Sequence, residues 1–390
     1  MGWRYRHTVL AACMLAFFVT FFARLAISPV IPFIRADFTV TTASVGVALT
    51  GRWMTYGLAQ FPSGILADRF GERRVILVAV GGTAVTSLLL AAAPVFAVFV
   101  LCAVALGAVA GLHYSVATTL LSRTFKDMGR AVGIHSLGAP LAGLLAPATA
   151  AWVGTRYGWR PAVALAAVVG VPVFVLFAWR VRPTAPRRPD QPVRDRLELG
   201  PLARVVSRPP IAFTLLIATC GTFVAQGLLS FLPTFLVEFR DATPAVAGIV
   251  FSGFFVVRAV GQIALGEISD AFGRDLALGV SMVAGAAGVV LLVAGPPTAA
   301  ITVAVVLAGV GSSFFSALDP RFMDNLSEAE RGAGFGLVRT VYTMLGSTGS
   351  ATVGLLADLF GWGVSFGVMA ALFAVTAVVI GVNAALRLGY

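Results

Sequence analysis

GILADRFGERR, residues 64–74, separates two long apolar runs and returns in weaker form as GEISDAFGRD at residues 266–275. Sliding the chain by 202 residues lays Gly64 on Gly266, Asp68 on Asp270, Phe70 on Phe272 and Gly71 on Gly273. The same shift lays Gly46 on Gly248, Gly51 on Gly253 and Gln60 on Gln262. A shift of 203 lays Gly143 on Gly346, Gly158 on Gly361 and Trp159 on Trp362. Chance pairs glycines readily in a chain with 42 of them, but it does not readily supply a shared Asp and Gln at one offset and a shared Trp at the next. The chain therefore reads as two parallel repeats, which puts a pseudo-two-fold axis along a membrane normal and a binding site at the repeat interface.

Outward from the loops, the composition excludes an ordinary soluble protein. Hydrophobic residues make up 58% of the 390 and charged ones 12%, against roughly 25% charged in soluble domains. The apolar residues come in blocks of the length a bilayer demands, about 20 per helix. Spans are predicted at 8–34, 43–66, 75–93, 95–121, 131–153 and 161–181, then at 209–236, 245–268, 276–295, 298–319, 333–357 and 363–386. The expected fold is an all-α membrane protein, twelve transmembrane helices in two pseudo-symmetric six-helix bundles, residues 1–181 and 209–390. Residues 182–208, where Pro183, Pro186, Pro189 and Pro192 alternate with arginines, suit a solvated cytoplasmic linker. The first apolar run is too long for a signal-peptide core and is read as a retained helix.

The net charge of +11 reports topology rather than nucleic acid. Of 28 Lys and Arg residues, with Lys126 the single Lys, 20 fall in loops or tails on one side. Four (Arg35, Arg156, Arg160 and Arg240) fall on the other, and four lie within spans. By the positive-inside rule both termini are cytoplasmic, and the plasma membrane is the expected location. Cys13, Cys102 and Cys220 sit in separate apolar runs, so neither a disulfide framework nor a metal site is expected. No phosphate loop, H-E-x-x-H or G-x-S-x-G pattern occurs, which leaves no expectation of ATP drive, enzymatic chemistry or a cofactor. GAGFG at 332–336 has no preceding strand and reads as close helix packing.

In the loop 64–74, Gly64, Leu66, Ala67, Asp68, Arg69, Gly71, Arg73 and Arg74 fit the signature G-x-L-A-D-R-x-G-R-R, and Gly266, Asp270, Gly273 and Arg274 form the weaker copy. On these residues the chain resembles the major facilitator superfamily, and with the span count, linker and repeat the resemblance covers nearly all of it. By their own chemistry, Gly71 and Gly273 permit a tight turn, and Asp68 and Asp270 offer carboxylates that suit a helix N-terminus. The resemblance implies that Asp68 meets the start of span 11 near 333–336 and Asp270 the start of span 5. Gly64, Asp68, Arg69, Gly71, Arg73, Gly266, Asp270, Gly273 and Arg274 are accordingly expected to form a conformational gate; the plainer role is to turn and orient the chain. Two departures stand out. Ala103 occupies the position where many proton-coupled members carry Arg, and GAPLAG at 138–143 only partly matches the Gly-Pro motif of antiporters.

The deep charge carries the functional reading. All 17 Asp and Glu residues are placed in loops or near span ends, Asp319 among those nearest the membrane, whereas Arg24, Arg52, Arg258 and Arg339 fall inside spans. An Arg at a helix centre costs about 3 kcal/mol on the insertion scale, and such residues generally face a cavity on a substrate path. Without a deep carboxylate, the expected partner is an anionic substrate, which guanidinium forks bind through paired hydrogen bonds. Arg258 aligns with Tyr56, one helical turn from Arg52, so the two arginines suit an anion held between halves. The plainer alternatives are backbone carbonyls, interhelical hydroxyls or snorkelling to an interface. His113 and His135 are candidates for a proton relay, with hydrogen-bonded packing as the plainer role. Pro29 and Pro32 are expected to kink span 1 near its outer end.

The expected protein is a monomeric secondary transporter in the lipid bilayer, moving a small organic or inorganic anion by alternating access, with a coupled proton or other ion left open. Proton-coupled efflux of hydrophobic or cationic compounds is the rival within the class. A transporter-like membrane sensor is the rival outside it.

Overall fold

The computed structural model describes residues 5–125, 128–186, 206–295, 299–327, 330 and 333–388, and these are helical with no strand. The predicted first span is three pieces: α1 (Tyr5–Leu25), a 3-10 turn (Ser28–Val30) and α2 (Ile31–Phe38). Pro29 and Pro32 sit in the first turns of the last two, where a missing N–H is tolerated but an unbroken α1 is not. There follow α3 (Thr42–Phe70), α4 (Glu72–Ala91), α5 (Phe96–Gly111), α6 (His113–Thr124), α7 (Met128–Ser136), α8 (Gly138–Tyr157) and α9 (Trp159–Arg180). Spans 4 and 5 are thus each broken in two, at Leu112 and Leu137.

The second half continues with α10 (Pro209–Glu238), α11 (Pro244–Phe272), α12 (Arg274–Ala294), α13 (Ala299–Gly311), α14 (Phe315–Asp324) and α15 (Ala333–Leu386). The last contains two spans, divided where Gly361 takes φ 81°. Among the described residues, ten helical stretches are long and apolar enough to cross a membrane. Dividing α15 at Gly361 and adding the 29-residue α3 makes twelve. Leu101, Val168 and Ile263 are 68%, 67% and 68% exposed, an apolar surface that suits hydrocarbon rather than water. The predicted linker falls mostly outside the described residues.

The chain packs as two compact units, Met1–Val40 with Gly51–Leu197, and Thr41–Thr50 with Glu198–Tyr390. In the first, α1 lies against α8 and α9, and α4 against α9 and α5. Its core joins Val9 and Cys13 of α1 to Ile76 and Val80 of α4, Val116 and Leu120 of α6 and Phe177 of α9. In the second, α10 and α12 pack on α15, and α12 also on α13. That unit includes the first turns of α3, whose Thr42 and Ala43 N–H groups donate to the two carboxylate oxygens of Asp358 at 3.1 and 2.7 Å. A carboxylate there satisfies orphan amides and complements the helix dipole.

The repeat survives as geometry. In the first unit, Trp159 Nε1 donates to Asp37 at 3.1 Å, and in the second its counterpart Trp362 donates to Glu238 at 2.9 Å. Each tryptophan follows a glycine in a positive-φ conformation, Gly158 at 86° and Gly361 at 81°. At the loop end, Glu72 of α4 pairs with Arg123 of α6 at 3.1 Å, while Arg274 of α12 pairs with Asp324 of α14 at 3.2 Å. These bridges are related by the repeat with their charges exchanged.

Candidate functional site

Arg24 stands in the last turn of α1, where the chain breaks before Pro29, and its side chain is 1% exposed. Its Nε donates to the Thr20 carbonyl at 2.9 Å, but neither terminal nitrogen meets an acceptor at hydrogen-bonding geometry. Three rings surround it, and the Tyr56 hydroxyl is its polar neighbour among them. The guanidinium carbon lies 4.0 Å from the centroids of Phe21 and Tyr56 and 5.1 Å from that of Trp53.

Arg52 of α3, 2% exposed, donates Nη1 to the Arg24 carbonyl at 2.6 Å and lies 5.1 Å from the same Trp53 ring. That carbonyl belongs to the end of α1, where the helix no longer supplies an amide partner. The Nε of Arg52 is buried without an acceptor. The backbones approach closely here: a Cβ on Gly107 of α5 would stand 1.9 Å from the Arg52 carbonyl oxygen, so only glycine fits.

Two buried cations thus share one aromatic cage, and among the described residues neither has a carboxylate within 4 Å. Cation–π contacts contribute roughly 0.5–2 kcal/mol each, less than the several kcal/mol per ion that desolvation costs. The first unit therefore holds a local excess of buried positive charge, with N–H groups open to an acceptor.

In the second unit the other two arginines have different surroundings. Arg258 of α11 lies 5.8 Å from the Phe315 ring, its Nε is buried without an acceptor, and its carbonyl accepts from Ser313 Oγ at 3.0 Å. Arg339 of α15 has Asp319 as an electrostatic neighbour. This corrects the sequence reading that every carboxylate lies in a loop or near a span end. α14 runs on to Asp324, so Asp319 sits mid-helix, with one shielded oxygen lacking a hydrogen-bond partner.

His113 and His135, 22 positions apart on α6 and α7, are fully buried and joined Nε2 to Nε2 at 3.1 Å. The loop residues sort into structural roles within each unit. Gly71 takes φ 86°, and a Cβ there would stand 2.3 Å from the Thr184 carbonyl. Arg73 donates Nε to Val181 and Nη2 to Ala178 at 2.7 and 2.5 Å, capping the end of α9. Arg69 lies against Phe70. In the second copy Gly273 takes φ 98°, and Arg274 bridges Asp270 at 2.5 Å as well as Asp324. Gly64 and Gly266 have room for a Cβ, so packing within the described residues does not demand glycine there.

The cage of Phe21, Trp53 and Tyr56 was not among the residues expected from sequence. Its signal was present, because Phe21 precedes Arg24 by one turn and Tyr56 follows Arg52 by one turn.

Residues 13–243 and 240–386 match the Major Facilitator Superfamily, and the chain belongs to that family. Its apolar helices and this membership make it an integral membrane protein. A probable sulfoacetate transporter of Cupriavidus necator is 27% identical over 50% of this chain and 46% of its own length. A hexuronate transporter of Bacillus subtilis is 20% identical over 67% of this chain and 64% of its own. The chain thus spans about half to two-thirds of the length of these curated relatives. A bacterial homologue of the human lysosomal transporter Spinster superposes with a TM-score of 0.81 at 17% identity, covering 97% of both chains.

Proposed function

We propose that this transporter carries a small organic anion by alternating access, and that Arg24 and Arg52 receive its acidic group. The observation that carries this reading is the buried guanidinium of Arg24, with two terminal nitrogens lacking acceptors beside a second buried cation. A carboxylate or sulfonate supplies the missing charge and the missing acceptors together. The two relatives named above carry solutes of this kind: a sulfoacetate bears both acid groups, and a hexuronate bears one. Arg258 is a further candidate contact, whereas Asp319 already serves Arg339. The 64–74 and 266–275 loops act as the gate, at the cytoplasmic face of the plasma membrane, with both termini on that side.

A second reading rests on Asp319. A mid-helix carboxylate with an open oxygen suits a cationic solute, as proton-driven export would need. Thermal-shift titration of the purified transporter separates the two. Sulfoacetate and glucuronate are expected to stabilise the wild type and Arg339→Gln but to lose that effect in Arg24→Gln and Arg52→Gln. Stabilisation by lipophilic cations alone would favour export instead.

A further inference from the structure

We infer that His113 and His135 form a one-proton site that loads when an anion binds at Arg24 and Arg52 and unloads when it leaves. The inference rests on the anion reading of those arginines and adds to it a coupling ion, a stoichiometry and a place.

The geometry sets the stoichiometry. The two rings face each other at 3.1 Å between Nε2 atoms, with centroids 5.4 Å apart. One hydrogen, and only one, fits between two ring nitrogens at that distance. None leaves two lone pairs opposed, and two leave donors head to head. A pair sharing one hydrogen has two charge states. Neutral, it has one bare Nδ1, on the donating ring. With charge +1, both Nδ1 atoms carry hydrogen. The pair therefore accepts one proton, at that bare Nδ1, and gives back the same proton. Neither Nδ1 meets an acceptor at hydrogen-bonding geometry among the described residues; the Cys13 backbone is the polar neighbour of His113, which leaves His135 Nδ1 to take the proton.

The setting links that proton to the anion. Phe17 of α1 stacks on both imidazoles, 5.7 Å from His113 and 4.9 Å from His135. Arg24 lies seven residues further along α1, about two turns or roughly 10 Å. Around the pair, α1 contributes Cys13 and Arg24, with Tyr5, Arg6 and His7 at its start, and α6 contributes Tyr114, with Arg123 at its end. Arg130 begins α7; α5 carries only Cys102; Glu72, Arg73 and Arg74 fall in the first turn of α4, and Arg156 and Tyr157 in the last turn of α8. No carboxylate contacts the pair among the described residues. The nearby buried charge is that of Arg24 and Arg52, which opposes a third positive charge in a low-dielectric interior until an anion offsets it. Anion and proton then favour each other by the same factor, as linkage requires.

A pair that only tied α6 to α7 would show no such linkage. The chain has three histidines, so His7→Gln leaves only the pair visible to ¹⁵N-histidine NMR. Titrated in nanodiscs, the pair is expected to take up one proton, and saturating sulfoacetate to raise its proton affinity about tenfold. The double variant His113→Gln with His135→Gln can keep a side-chain hydrogen bond but has no imidazole left to take the proton. It is expected to lose the pH dependence of sulfoacetate affinity and uptake driven by a pH gradient, whereas a structural role would lower only the thermal midpoint. If sulfoacetate stabilises the protein while the titration stays put, or if the pair takes two protons, the inference is wrong and the anion reading stands. If neither sulfoacetate nor glucuronate binds, both fall together.

Discussion

Three rings lie against the Arg24 guanidinium, and one of them, Trp53, also lies against Arg52. Hydropathy alone reveals four charges inside apolar runs, because each interrupts its own window. Their sorting was not legible, since it depends on partners from other helices: Arg52 finds a carbonyl on α1, and Arg339 finds Asp319 on α14. Gly71 is the opposite case, a residue whose need was legible from its place between two helices. Its φ of 86° and the Thr184 carbonyl both exclude a side chain. Gly71→Ala is expected to destabilise the protein by about 1–3 kcal/mol, seen as a lower thermal midpoint in detergent. An unchanged midpoint would mean that the turn relaxes freely.

Most helices were legible because an apolar block of bilayer length has few alternatives. Their ends were less so. Span 10 is predicted to end at its first charge, Asp319, yet α14 continues through Arg321, which bridges Asp275 of α12, to Asp324. Paired charges let a helix run past its apolar window, and pairing is invisible along one segment. The exchanged bridges make this testable. Glu72 is buried (1%) and Arg123 is 30% exposed, so Glu72→Arg alone should cost roughly 2 kcal/mol or more, less than a fully buried pair. Adding Arg123→Glu should recover most of the thermal midpoint. A double variant no better than the single would show that the bridge contributes little.

Between α14 and α15, Arg208 and Ser327 hold the Glu330 carboxyl down at about 2 from an ordinary 4.5. A lowered carboxylate stabilises the fold above its unfolded value and loses that contribution as pH falls toward 2. Arg208→Ala should therefore flatten the acid loss of thermal stability between pH 4.5 and 2. Parallel curves would contradict the pairing.

At the scale of the whole molecule, the repeat seen in a few shared side chains reappears as paired tryptophan–carboxylate contacts, paired positive-φ glycines and mirrored bridges, at offsets of 201 to 203 residues. The architecture was legible because a repeat leaves its mark twice. The cargo was not, because it depends on which buried cations lack partners, and that is a property of packing. Two exposed guanidiniums would say little; the proposal of an anionic cargo rests on two buried ones with no carboxylate within 4 Å among the described residues. The most direct measurement is uptake of radiolabelled sulfoacetate into proteoliposomes by the wild type, Arg24→Gln and Arg52→Gln, with each variant's folding checked by its thermal midpoint. Saturable uptake by the wild type, reduced at least tenfold in both folded variants, is the predicted result. Uptake unaffected by either substitution would contradict the account.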